Sequence, residues 1–465
     1  MLFNSFLFIF VFLPGVLLGS VVIRQPRRRV IFWTLASWMF YGFAGPWFVL
    51  LMVASTVLDF VLAQRISRST SPRARRAYMI TSISFGLGLL GFFKYFNFFL
   101  DTVNAVTAVI EAITGLPAVT LRTSMAIVLP AGISFYTFET IRYTVDVYRR
   151  EIAPERDFWY FACFVSLFPH LIAGPIIKPG DLLPQLHALG SRHRGRFQDG
   201  LFLFAAGLCK KVLIADRIAI SIDPLLLTPT ELSTTQAWMA MLGFALQIYF
   251  DFSGYTDMAR GLGRLMGIEF PINFDSPYRA LDPSDFWRRW HITLSTWLRE
   301  YLYIPLGGNR RGRLLTYRNL MITMLLGGLW HGAGWNFVLW GGLHGVALAL
   351  YHRFGAQWDR LPAIARRACM FVFVVLSWVP FRLHSLHDIL ACYRAMFSLD
   401  VSAAVPWRLV AITAAGVAIA LFWRRNSNHV EWGRLGPATA VALGLATFVT
   451  LLYINASTRF LYFQF

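Results

Sequence analysis

The chain has 465 residues, of which 57% are hydrophobic and 14% charged, with a mean hydropathy of +0.54. Soluble domains run at roughly 45–50% apolar and about 25% charged residues, so composition excludes an ordinary soluble protein. The net charge of +19 would suggest nucleic acid in a soluble chain. Here the excess is arginine in short loops between apolar runs, as the positive-inside rule produces, and no nucleic-acid-binding motif accompanies it.

Apolar runs of about 20 residues recur, each long enough to cross a hydrocarbon layer of roughly 30 Å. The expectation is an all-α, polytopic membrane protein of about ten to twelve membrane segments, in contact with membrane lipids. The alternating pattern of a membrane barrel is absent. Residues 2–22 form the first span. No basic stretch precedes them, whereas Arg24 and Arg27 to Arg29 follow. That polarity predicts an uncleaved first helix with its N-terminus outside. Residues 30–64 read as a hairpin of two spans broken near Gly45 and Pro46. The loop 65–76 carries five arginines and returns to the cytoplasmic side. Residues 78–100 cross outward. Lys94, between Phe92 and Tyr95, reads as a lysine snorkelling to the interface. Residues 101–124 read as a mixed loop. Residues 126–147 return inward, and Glu139 and Arg142, spaced i,i+3, suit an ion pair on one helix face.

Residues 158–177 form a broken apolar segment. Pro169, Gly174 and Pro175 cannot share one regular helix. Irregular backbone at membrane depth is tolerated only against protein or a water-filled cavity, which makes His170 a candidate cavity residue. Residues 200–219 cross, and 236–250 cross back into a polar tract with Asp251, Asp257 and Arg260, read as part of a polar cavity wall. It has neither Walker A nor GxGxxG spacing, so no nucleotide site is inferred.

Residues 283–345 dominate the chain. Trp287, Trp290, Leu294, Trp297 and Tyr301 recur at steps of three and four, predicting one helix with an aromatic face across 286–301. His291 lies on the edge of that face. A glycine-rich segment then carries His331 and His344. His291 and His331 each directly follow a tryptophan, Trp290 and Trp330. A histidine in a membrane-grade segment costs free energy unless paired or functional; one hydrogen-bonded inside a helix bundle is the structural alternative. Residues 368–465 read as roughly three further spans, ending in YFQF. The four cysteines show no CxxC spacing and read as small buried residues, and no helical HxxxH pair supports a metal site.

Several long motifs in fixed order carry a resemblance over essentially the whole chain. They are LGFFKYFNFF (90–99), FPHLIAGPI (168–176), YFDFSGYTDMARGLGRLMG (249–267), FWRRWHITLSTWLREYLYIPLGGNR (286–310), NLMITMLLGGLWHG (319–332) and the terminal YFQF (462–465). The chain resembles the membrane-bound O-acyltransferase superfamily, and within it the alginate O-acetyltransferase subfamily. The resemblance implies a single integral-membrane domain: N-terminal spans (1–125), a catalytic core (126–350) and C-terminal spans (351–465), with a ring of tilted helices around a central tunnel. His331 matches the essential histidine of the LWHG motif, and His291 the histidine of WRRWH. The implied role is to take an acetyl group from a cytoplasmic thioester, acetyl-CoA or an acylated carrier protein, with no bound cofactor. The group then crosses the bacterial inner membrane to a periplasmic SGNH-type partner and a polysaccharide biosynthesis and export complex.

Acyl transfer needs a deprotonated nucleophile and a site for the developing oxyanion. Imidazole is the usual base near neutral pH, and burial favours its neutral, proton-accepting form. His331 and His291 are therefore the catalytic candidates. Trp330, Trp290, Asp251, Asp257, His170 and Asn336 are the candidates for substrate contact. No GxSxG elbow supports a serine acyl-enzyme. The competing class is a transporter or flippase, against which stand the lack of an internal repeat and the gathering of polar signals in 168–345. Other acceptors on the same scaffold are peptidoglycan, cellulose, another exopolysaccharide or teichoic acid.

Overall fold

A computed structural model describes residues 1–117, 120–121, 127–189, 197–401, 404–422, 435–456 and 460–461. Every regular element among them is helical. That follows from the solvent: in hydrocarbon an α-helix satisfies its own backbone groups. The chain is an all-α polytopic membrane protein. Among the described residues three helical stretches are long and apolar enough to cross a bilayer, Pro46–Arg68, Pro72–Thr114 and Ala363–Arg382, and Phe8–Val22, Trp407–Leu421 and Pro437–Leu452 are shorter apolar helices.

The N-terminal helices are α1 (Leu13–Val22), α2 (Pro26–Gly42), α3 (Pro46–Arg68), α4 (Pro72–Leu90) and α5 (Phe96–Thr114). The break between α2 and α3 falls at Gly45 and Pro46, as the sequence suggests. Helices α3 and α4 run well into the basic 65–76 segment, leaving only Ser69 to Ser71 between them. Residues 101–114, expected as loop, continue α5; a π-helical turn at Gly91–Tyr95 joins it to α4.

The middle of the chain holds α6 (Ile133–Arg149), α7 (Phe158–Ser166), α8 (Phe168–Leu171), α9 (Pro179–His187), α10 (Phe197–Cys209), α11 (Asp216–Ile222) and α12 (Thr234–Met266). The expected break appears at Leu167, whose extended backbone separates α7 from α8. Helix α12, 33 residues long and buried along most of its length, is a central post. Ser233 and Gln236 close its N-terminus as a reciprocal capping box. Its glycines are contact points rather than turns. A Cβ at Gly261 would sit 2.7 Å from the Gly200 carbonyl, and one at Gly207 2.5 Å from the Gly254 carbonyl. Only glycine lets α10 and α12 approach so closely.

Helices α13 (Pro283–Arg289), α14 (Ile292–Leu298), α15 (Arg313–His331), α16 (Trp335–Trp358), α17 (Ala363–Arg382), α18 (Leu386–Phe397), α19 (Trp407–Phe422) and α20 (Pro437–Leu452) complete the chain. Proline 380 sits inside α17. It has no N–H for the Leu376 carbonyl one turn back, and the Tyr393 hydroxyl of α18 donates to that carbonyl instead, at 3.0 Å. The YFQF ending at 462–465 lies outside the described residues.

Candidate active site

The single helix expected over 286–301 is two helices. They part at Trp290–His291, and His291 adopts a left-handed conformation (φ 42°, ψ 55°). Non-glycine residues rarely hold this backbone unless their surroundings impose it. The surroundings are Asn273. Its backbone carbonyl accepts from the Ile292 N–H at 2.9 Å. Its side-chain oxygen accepts from the Thr293 N–H at 3.1 Å and the Thr293 hydroxyl at 3.0 Å. The Thr293 hydroxyl oxygen accepts in turn from the Ile176 N–H at 3.0 Å, tying in the broken 158–177 segment. The break turns His291 fully inward.

Those contacts define the tautomer of His291. A backbone N–H can only donate, so the Asn273 atom facing Thr293 is oxygen. His291 Nδ1 lies 3.2 Å from that same oxygen. In the neutral ring Nδ1 therefore carries the proton and Nε2 the lone pair.

His331 is the last residue of α15. Gly332 and Gly334 continue in extended backbone, and α16 begins at Trp335. Helices α15 and α16 pack at very short range: a Cβ at Gly328 would sit 2.2 Å from the Phe337 carbonyl, and one at Gly341 2.2 Å from the Met324 carbonyl. The buried His331 ring lies 6.5 Å from that of His291, centroid to centroid. Aromatic rings enclose the pair. Trp330 is 5.1 Å from His331 and 5.9 Å from His291, and Trp340 and Phe381 meet His331 at 5.0 and 5.4 Å.

A cavity of about 360 Å³ reaches His331, lined by Trp330 and His331 together with Met1, Ala44, Lys94 and Gly132; His291 lies behind this wall and does not line it. Helix α2 starts at the Arg27–Arg29 cluster and ends beside Ala44, 17 residues later, a rise of about 25 Å. The cavity thus lies on the face opposite the arginine clusters.

The other predicted residues are placed as follows. Trp290 is buried against Phe274 at 5.0 Å and Trp378 at 5.1 Å, behind His291. Asn336 donates to the Pro380 carbonyl at 3.0 Å, tying α16 to α17. Asp251 and Asp257 face α10 and the turn after it. Lys211 Nζ lies 2.5 Å from Asp251 and 2.7 Å from Asp216, and Lys210 lies 2.6 Å from Asp257. Asp251 also accepts from the Leu461 N–H at 2.8 Å, holding the C-terminal segment. Neither aspartate lines the cavity, so what the geometry gives them is ion pairing between helices. His170 Nδ1 lies 3.2 Å from Glu139. The expected Glu139–Arg142 pair is replaced: Arg142 reaches Glu300 at 2.8 Å, while Glu139 accepts from the Ile177 N–H at 3.0 Å. His344 Nε2 meets the Ser377 hydroxyl at 3.1 Å. Lys94 does not snorkel; it bonds the end of α15. Among the described residues no group of three or more His, Cys, Asp or Glu side chains is placed to hold a metal ion.

Sequence reading missed Asn273 and Thr293, while Trp340, read from the sequence as an aromatic wall, stands against His331. Asn273 stands 18 residues from His291 in an irregular stretch, where no periodicity marks it.

The profile of the membrane-bound O-acyltransferase family matches residues 124–386, which contain both histidines and their supports. The chain belongs to the membrane-bound O-acyltransferase family. This acyltransferase is 37% identical, over all of both chains, to a probable alginate O-acetylase, AlgI, of Pseudomonas putida. It is 41% identical to the Pseudomonas aeruginosa protein of that name, over 90% of this chain and 78% of the relative. It is 39% identical to a peptidoglycan O-acetyltransferase of Helicobacter pylori, over 86% of this chain and 80% of the relative. The enzyme is thus a membrane O-acyltransferase, and a purely transporting role falls away.

Proposed function

We propose that this acyltransferase works in a bacterial inner membrane, passing acetyl groups from a cytoplasmic thioester toward an extracytoplasmic polysaccharide of the alginate type. The observation that carries the reading is the convergence of His291 and His331, 40 positions apart in the sequence, with ring centroids 6.5 Å apart and His331 lining a cavity. The full-length similarity to a probable alginate O-acetylase supports the polymer class. The donor is acetyl-CoA or an acylated carrier protein. A periplasmic SGNH-type partner and the polymer's synthesis and export complex complete the system.

In this mechanism His331 is the general base. Its imidazole takes the proton of an acceptor hydroxyl as that oxygen attacks the thioester carbonyl carbon. The C–O bond forms, the C–S bond breaks, and the departing thiolate takes the proton back from the imidazolium. His291, Nδ1–H held by Asn273, has its lone pair on Nε2, which stabilises the positive charge that develops on the His331 imidazolium. Trp330 walls the cavity; Trp290 supports His291 from behind. By the positive-inside rule the cavity face is extracytoplasmic, which suits entry of the acceptor there.

The test is O-acetyl content of the extracellular polysaccharide in wild type, a deletion strain, and deletion strains complemented with His331→Ala or His291→Ala at matched protein levels. Loss of acetate in the deletion and in His331→Ala, with normal polymer yield, supports the reading. Full acetylation with His331→Ala overturns the assignment. The identity to a peptidoglycan O-acetyltransferase favours a second acceptor: unchanged polymer acetate with lowered cell-wall acetate would assign peptidoglycan.

A further inference from the structure

A second residue acts on His331 from outside the pair. The ammonium of Lys94 donates to the Trp330 carbonyl at 2.5 Å and the His331 carbonyl at 3.2 Å. The next residue, Tyr95, donates its hydroxyl to the Leu329 carbonyl at 2.6 Å. Three successive carbonyls at the end of α15 are thus received by two adjacent side chains, more than 230 positions away in sequence. The last four carbonyls of any helix have no donor within it, and in a membrane an unmet carbonyl costs several kcal/mol. A cation at a helix C-terminus also meets the negative end of the helix dipole.

Local structure explains how neighbours can act together. Lys94 and Tyr95 close the π-helical turn Gly91–Tyr95. Successive residues of an α-helix point about 100° apart; the wider π turn brings these two toward one partner, and such turns recur at functional sites. The ammonium also lies 5.9 Å from the Trp330 ring centroid, within cation–π range. Lys94 lines the same cavity as His331.

We propose that Lys94, assisted by Tyr95, is a positioning residue that holds the end of α15 so that the His331 imidazole faces the cavity and His291. This rests on the assignment of His331 as the base. Lys94 touches no reacting atom in the proposal; it acts through the backbone that carries His331.

The test uses the full-length enzyme with Lys94→Met, Lys94→Arg and Tyr95→Phe. Hydrogen–deuterium exchange of the purified, detergent-solubilised protein reads the backbone at 327–336. The rate of O-acetyl incorporation in complemented deletion cells, at matched abundance, reads function. Lys94→Met is expected to speed exchange at 327–336 alone and to lower incorporation about 10- to 100-fold, the size of effect that a misplacement near 1 Å produces. Lys94→Arg, which keeps charge and donors, restores both. Tyr95→Phe shifts both in the same direction but less. Equal exchange at 327–336 in wild type and Lys94→Met overturns the proposal, whatever the rate does. If wild-type cells incorporate no acetate, the proposed acetyl transfer fails, and exchange still decides whether Lys94 holds α15.

Discussion

The side-chain oxygen of Asn273 stands 3.2 Å from Nδ1 of His291 and takes two further hydrogen bonds from Thr293. With its backbone carbonyl, which accepts from the Ile292 N–H, Asn273 thereby breaks a helix and turns a histidine inward, and its side-chain oxygen sets which ring nitrogen carries the proton. Replacing Asn273 with Ala removes all three bonds to that oxygen. The expected outcome is a fall of about 10- to 100-fold in acetyl incorporation, comparable to the loss of an outer partner that orients a functional histidine. It is read as incorporation rate per unit of membrane-resident protein. Wild-type rates in Asn273→Ala would remove Asn273 from the site.

His331→Ala is expected to lower incorporation by about 10²- to 10⁴-fold, the range of a lost general base, with membrane abundance unchanged. His291→Ala is expected to be less severe. Initial rates against donor concentration check this: a base lost from the chemical step lowers the maximal rate and leaves the half-saturating concentration in place.

The α15–α16 contact should tolerate no side chain. Gly328→Val and Gly341→Val would each place a Cβ 2.2 Å from a backbone carbonyl. Overpacking of this kind costs about 1–3 kcal/mol or more, seen as lower membrane abundance and a lower melting temperature in detergent. Gly444, with no atom within 4 Å of its would-be Cβ, is the control; Gly444→Ala should match wild type. A Gly341→Val protein with wild-type melting would show that the helices can separate without cost.

Lys211 lies buried between Asp216 and Asp251. Lys211→Met leaves two buried carboxylates facing each other without that ammonium. Breaking a buried ion pair from one side costs about 3–5 kcal/mol, so the variant should accumulate poorly. Adding Asp251→Asn should recover part of the loss, because one of the two charges is removed with its partner. A thermal melt of the single and double variants measures this; additive losses would deny the coupling.

Much of the site was legible residue by residue. His331 follows a tryptophan inside a glycine-rich apolar run, and His291 sits in an aromatic run of helical spacing; each signal is confined to a few turns of chain. The break at Leu167 was legible because proline and glycine act on their own backbone. The single helix over 286–301 was wrong for an instructive reason. Its tryptophan spacing is truly helical, yet Asn273 accepts the N–H groups of Ile292 and Thr293 and ends the first helix at Arg289. The Glu139–Arg142 pair failed similarly: spacing allowed it, but Glu300 and His170 were better placed partners. Lys94 read as an interfacial lysine because the α15 terminus it caps is invisible from residues 90–99.

The sequence by itself determined that this chain lives in a membrane, builds its regular structure from helices and carries two candidate histidines. The reason is that hydrocarbon burial, helix breaking and charge asymmetry are paid for residue by residue along the chain. Only the tertiary structure decided which nitrogen of His291 holds its proton, which lysine caps the helix bearing His331, and that Asp251 and Asp257 tie helices together. Those outcomes depend on groups that meet through space after the helices pack. A hydrogen bond between residues 18 or 237 positions apart leaves no period in the sequence.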